Sequence, residues 1–169
     1  ADWNRETDAA DIREWLNAMA AGGYVTYCKD TEPFEFEAEQ AVALADPESP
    51  AFVPGLFQVT AAMWAGESKI ASNFRTGAGL EWGHQHPCLF EGTERFFRSG
   101  YLGNLIQSWL PALDGVVAKL ERGAKVADVG CGVGASTIIM AKAFPKSTFY
   151  GFDYHAGSIE MARQRAREA

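Results

Sequence analysis

Val126-Ala127-Asp128-Val129 runs directly into Gly130-Cys131-Gly132-Val133-Gly134, and this stretch decides how the chain is read. The first four residues are a short buried-strand run, and the glycines stand where a helix pattern begins, about Ala135 to Phe144. Pro145 stops that helix. Thr148-Phe149-Tyr150-Gly151-Phe152 reads as a second strand ending in Asp153, and a second helix follows from about Ala156 onward. Strand, glycine loop, helix, strand, acid, helix is a βαβ unit plus one helix, which predicts a parallel pair of strands.

Glycine at 130, 132 and 134 removes every side chain from one edge of the turn, so the backbone can approach a ligand closely. Free N–H groups there, together with the helix dipole, are expected to favour a negative group. Asp153, at the tip of the second strand, is placed to accept hydrogen bonds from two ribose hydroxyls. These residues predict a nucleoside-containing cofactor lying across the carboxyl ends of the strands. Gly130, Gly132 and Ala135 also satisfy a loose G-x-G-x-x-[GA] dinucleotide fingerprint. Two features oppose that reading. Asp128 would repel a pyrophosphate but suits a cofactor with a sulfonium and an ammonium group, and the third glycine falls at 134, giving G-x-G-x-G.

The segment 126–134, with Tyr-Gly-Phe-Asp-Tyr at 150–154, resembles the first two cofactor motifs of class I S-adenosylmethionine-dependent methyltransferases. The whole chain resembles a bacterial group in which a winged-helix region precedes that domain, and whose members are sometimes labelled transcriptional regulators. The resemblance implies that Gly130, Cys131, Gly132 and Gly134 form the loop beside the methionine part and ribose. It implies that Asp128 orders the loop and the ammonium end, that Asp153 holds the ribose hydroxyls, and that Tyr154 lies beside the adenine. Tyr101, in the helix before the cofactor unit, is placed over the cofactor by the same analogy. A complete domain of this type has about seven strands, so two strands predict a truncated, half-built domain with an unpaired parallel edge that should pair, aggregate or disorder. No catalytic base is identified.

Working outward, residues 1–48 carry Arg5, Arg13 and Lys29 against twelve acidic residues, whereas 121–169 carry seven basic and five acidic. Three regions are therefore expected: a partial winged-helix-like region over 1–48, a helical linker or substrate cap over 49–121, and the first part of the cofactor domain over 122–169. Ile12, Trp15, Leu16 and Met19 repeat at helical spacing, Gly22-Gly23 ends that helix, and Tyr24–Cys28 with Phe34–Glu37 predict a hairpin. Between them lies a turn over Lys29-Asp30-Thr31-Glu32-Pro33. Further helices are expected over Glu39–Leu44, Gly55–Phe74, Thr93–Phe97 and Tyr101–Glu121, the last kinked or split at Pro111. The fold class is α/β: a helical, winged-helix-like N-terminal region followed by a truncated Rossmann-like βαβα unit.

Charge and composition exclude other functions. The formal charge is -7, and Asp8, Asp11, Glu14 and Asn17 on the first helix oppose a phosphate backbone, so DNA binding is not expected. The competing reading is a winged-helix regulator with a cofactor-binding sensor domain. Three cysteines without short spacing give no disulfide framework and point to a reducing cytoplasm. The uncharged run Ser49–Gly66 is broken by Pro50 and Pro54, so no membrane span is expected. His84-Gln85-His86-Pro87-Cys88 reads as a loop rather than a metal site, Cys131 as a small filler, and His155 as a solvent-facing helix start. Phe52, Phe57, Met63, Trp64, Phe74 and Trp82 are expected to pack as core, the alternative being the lining of a hydrophobic substrate pocket or a dimer core, with Phe96 and Phe97 near the cofactor beside Tyr101. The partners expected are a small-molecule methyl acceptor and a second copy, docked through the N-terminal region.

Overall fold

The computed structural model describes residues 9–30 and 33–169, so Asp8 and the turn residues Thr31 and Glu32 lie outside the described residues. The chain forms two compact units, divided after Asp46.

In the first unit, α1 spans Ala9–Ala21. Its apolar stripe is only partly covered: Leu16 and Met19 are half-buried while Ile12 and Trp15 stay exposed. The helix ends where Gly23 takes a left-handed φ of 77° and the Tyr24 N–H reaches back to the Met19 carbonyl at 2.9 Å. A short antiparallel hairpin follows, β1 (Thr26–Tyr27) with β2 (Phe34–Glu35), its rings Tyr27 and Phe34 5.1 Å apart. Next comes α2 (Ala38–Leu44). The Gln40 side chain accepts the Glu37 N–H at 2.8 Å and donates to the Gly23 carbonyl, which fixes α2 against the end of α1.

The second unit opens with a helical hairpin, α3 (Pro54–Thr76) and α4 (Pro87–Asn104). Proline occupies the first turn of both, where its missing N–H costs nothing, and Gly77 closes α3 with φ 73°. The two backbones touch at a pair of glycines. A Cβ on Gly55 would stand 2.5 Å from Phe96 N, and one on Gly92 would stand 2.8 Å from Val59 N. That contact explains a departure from the expected elements: α4 runs unbroken from Pro87 through Gly92 and Gly100 rather than as pieces at Thr93–Phe97 and from Tyr101. After a π-helical turn at Leu105–Trp109 the chain leaves the helix, and α5 begins only at Val116, after Gly115. Pro111 lies in that gap, so the helix expected over Tyr101–Glu121 is split there rather than kinked.

The α/β part follows: α5 (Val116–Arg122), β3 (Lys125–Val129), α6 (Ala135–Ala143), β4 (Thr148–Phe152) and α7 (Ala156–Glu168). β3 and β4 are parallel, with Lys125 opposite Thr148 and Val129 opposite Phe152, so both strands end level at the glycine loop. Leu120, Cys131, Val133, Met140 and Phe144 are buried here, and Phe52 and Ala62 are buried in the helical part. Among the described residues, no helix is long and apolar enough to cross a membrane.

Candidate functional site

The level ends of β3 and β4 make one side of a cleft of about 490 Å³. The glycine loop forms its floor. Gly130, Gly132 and Gly134 all take positive φ (79°, 55° and 84°), a region that L side chains adopt only at a cost, which is why this turn is made of glycine. At Gly130 and Gly132 a Cβ would meet nothing within 4 Å, so the backbone there is bare toward the cleft.

The loop is fastened to β4 from below. The Gly130 and Cys131 N–H groups both donate to the Phe152 carbonyl, at 2.7 and 3.1 Å, and the Gly134 N–H donates to the Cys131 carbonyl at 2.9 Å. Gly132 N–H donates to Asp153 Oδ2 at 2.9 Å, while the other oxygen, Oδ1, accepts the His155 N–H at 2.8 Å. This narrows the expectation of free donors: the loop N–H groups at 130, 131, 132 and 134 are engaged within the protein, which leaves those of Val133 and of the first turn of α6. At Gly130 and Gly132 the turn offers close approach to its backbone while its own donors there are already engaged.

Asp128, at the end of β3, directs Oδ2 to the hydroxyls of Ser136 (2.8 Å) and Thr137 (2.6 Å) in the first turn of α6. Asp128, Asp153 and Glu94 line the cleft together, and the described residues lining it include no Lys, Arg or His. Glu94 is nearly buried, its side chain 11% exposed, and it pairs with Arg165 of α7 at 2.9 Å. The field facing the cleft is therefore negative, with one of the three carboxylates compensated from behind.

The opposite wall comes from α4. Phe90, Thr93 or Glu94, Phe97 and Tyr101 recur at three- and four-residue steps, so a single helix face lies along the cleft. Tyr101 is half-buried between Phe97 and Trp109, and burial, then the nearby Asp128 carboxylate, raises its phenol above the ordinary range. Trp82 sits edge-on to Phe90, with centroids 5.2 Å apart.

Of the residues singled out from sequence, Tyr101, Asp128, Gly130, Cys131, Gly132, Asp153 and Tyr154 all line this cleft. Gly134 stands just behind it, as the residue before the first turn of α6. Cys131 is only 8% exposed, and burial, then Asp128 and Asp153, pushes its thiol up, so it is a packed filler rather than a nucleophile. Tyr154 is 77% exposed at the rim. His155 differs from expectation: it is half-buried, with its ring stacked on Phe90. Phe96 packs edge-on to Phe97 and does not line the cleft. Phe57, Met63, Trp64 and Phe74 are exposed along α3 rather than packed as core. His84 and His86 stay in a turn, where the His86 ring caps the start of α4 through the Cys88 N–H.

Sequence reading missed Phe90, Thr93, Glu94, Ser136 and Ser158 as lining residues. The helical spacing from 90 to 101 is the available signal, spread across the two separate helices expected at Thr93–Phe97 and from Tyr101.

Residues 120–169 match the family model of a methyltransferase domain. The methyltransferase-like segment holds Asp128, the glycine loop and Asp153, whereas the α4 wall precedes it. Solved structures share the fold over nearly the whole chain. The mitomycin 7-O-methyltransferase MmcR is 22% identical with a TM-score of 0.58, covering 96% of this chain and 49% of its own. A Nostoc punctiforme protein provisionally named an O-methyltransferase gives a TM-score of 0.59 at 16% identity, covering 96% of this chain and 47% of its own. The chain thus spans about half the length of these methyltransferase structures, and the likeness is one of fold. No curated protein matches.

Proposed function

We propose that this chain belongs to an S-adenosylmethionine-dependent methyltransferase acting on a small molecule, with residues 122–169 as the first part of its cofactor domain. One observation carries the choice of cofactor: three carboxylates and no Lys, Arg or His line the cleft, while the N–H groups at 130, 131, 132 and 134 are bonded within the protein. A pyrophosphate needs the opposite, free donors and a positive field. A sulfonium with an ammonium group gains from this one.

The residues fit such a group. Bare backbone at Gly130 and Gly132 admits the ribose and methionine portion, Asp153 is the acceptor for the ribose hydroxyls, and Asp128 faces the cationic end. Tyr154 lies beside the base. When bound, the cofactor supplies a methyl group already activated on positive sulfur. The protein's share is alignment and exclusion of water, and the aromatic face of α4 supplies the dry wall. The helix and hairpin of residues 9–35 are read as a winged-helix-like region whose uncovered Ile12 and Trp15 serve contact with a second copy.

Calorimetric titration of the full-length protein with S-adenosylhomocysteine and, separately, with NAD tests the reading. Binding of the first and not the second is expected. Binding of NAD alone would replace it with a dinucleotide enzyme.

A further inference from the structure

His155 does not line the cleft, yet it touches three of the parts that define it. Its backbone N–H holds Asp153 Oδ1 at 2.8 Å. Its Nδ1 accepts the Ser158 N–H at 3.3 Å and stands 2.9 Å from the Ser158 hydroxyl, which caps α7. Its ring stacks on Phe90 with centroids 5.1 Å apart and planes 11° from parallel. Glycines flank the ring: a Cβ on Gly157 would stand a tight 3.2 Å from Cε1, and one on Gly83 would come into ordinary contact, 3.4 Å from Cδ2.

We infer that His155 is a positioning residue, coupling the acid at the end of β4 to the aromatic wall on α4 so that the ring stack sets the width of the cleft. The inference rests on the cofactor reading above. A second tie between α4 and α7, Glu94 with Arg165, ends in a long side chain that is one-third exposed and tolerates several geometries. A planar ring packed between Phe90 and the two glycines has far less freedom, so the distance from Phe90 to Asp153 is fixed through it. The cap and the stack are separable chemically. Asparagine caps a helix but cannot stack, and phenylalanine stacks but cannot cap.

The test uses S-adenosylhomocysteine titrations and thermal midpoints of the full-length protein. His155→Asn is expected to bind about threefold to tenfold more weakly at a near-native midpoint, the range an aromatic pair supports. His155→Phe should lower the midpoint while affinity stays within about threefold of wild type. Phe90→Leu should lose affinity as His155→Asn does, and the double variant should lose little more, because the pair acts as a unit. Native affinity in His155→Asn, additive losses in the double variant, or affinity that simply follows the midpoint would each overturn the coupling. If His155→Asn fails to fold, Phe90→Leu decides, since its cap is intact, and native affinity there sinks the idea. A wild-type protein that binds no S-adenosylhomocysteine would overturn the cofactor reading, and the coupling with it.

Discussion

At the scale of single residues, Asp153 serves two purposes, and its removal should show both. Asp153→Ala deletes the charge-assisted acceptor for the ligand and frees the Gly132 and His155 N–H groups. A loss of about 1–3 kcal/mol in cofactor affinity is expected by calorimetry, and wild-type affinity would remove Asp153 from the site. A Cβ at position 132 meets no protein atom, so the main cost of Gly132→Val to the fold is the left-handed backbone, about 1–2 kcal/mol, and a few degrees in thermal midpoint. It should fold and fail to bind; normal binding would mean the ligand does not approach the loop. Cys131 carries a pH signature. Its folded thiol is raised above the unfolded value, so its contribution is complete below the unfolded pKa and is lost as pH rises through the folded one. The thermal midpoint of wild type should therefore fall more steeply than that of Cys131→Ala above about pH 9. Parallel slopes would show that the thiol is not held up. The glycines and both acids were legible at this scale because their types and spacing are local facts. The use of the N–H groups at 130, 131 and 132 was not, since their acceptors, Phe152 and Asp153, lie some twenty residues downstream.

Among the elements, α4 matters most, because it forms a whole wall and owes its position to the Gly55–Gly92 contact with α3. Alanine at position 92 gains about 0.5–1 kcal/mol in helix propensity. It also forces a methyl to within 2.8 Å of the α3 backbone, and overpacking of that kind costs about 1–3 kcal/mol. The clash wins, so Gly92→Ala should lower the thermal midpoint by several degrees and weaken cofactor binding with it. An unchanged midpoint would mean that the helices do not touch there. The continuity of α4 was not legible in the sequence: the role of Gly92 depends on a partner almost forty residues away, and nothing local marks a helix crossing. By contrast, β3, α6, β4 and α7 were read to within about a residue, because glycine, proline and apolar runs mark their ends.

For the molecule as a whole, exposed apolar side chains dominate. Val129, Tyr150 and Phe152 on the parallel strands are open, Val129 at 82%, as are Trp64 and Phe74 on α3. Parallel strands are ordinarily covered on both faces. A polypeptide of these 169 residues should therefore self-associate, with a light-scattering mass that rises with concentration. A constant monomer mass would contradict this. The net charge of -7 opposes association at low ionic strength, so added salt should promote it.

The stapling of the glycine loop to β4 has a kinetic consequence. Each oxygen of Asp153 holds a single N–H and can accept another hydrogen bond, so an arriving ribose breaks nothing already made. Capture should then be one encounter without a slow isomerisation, with an observed rate that climbs linearly with ligand concentration and reaches no plateau.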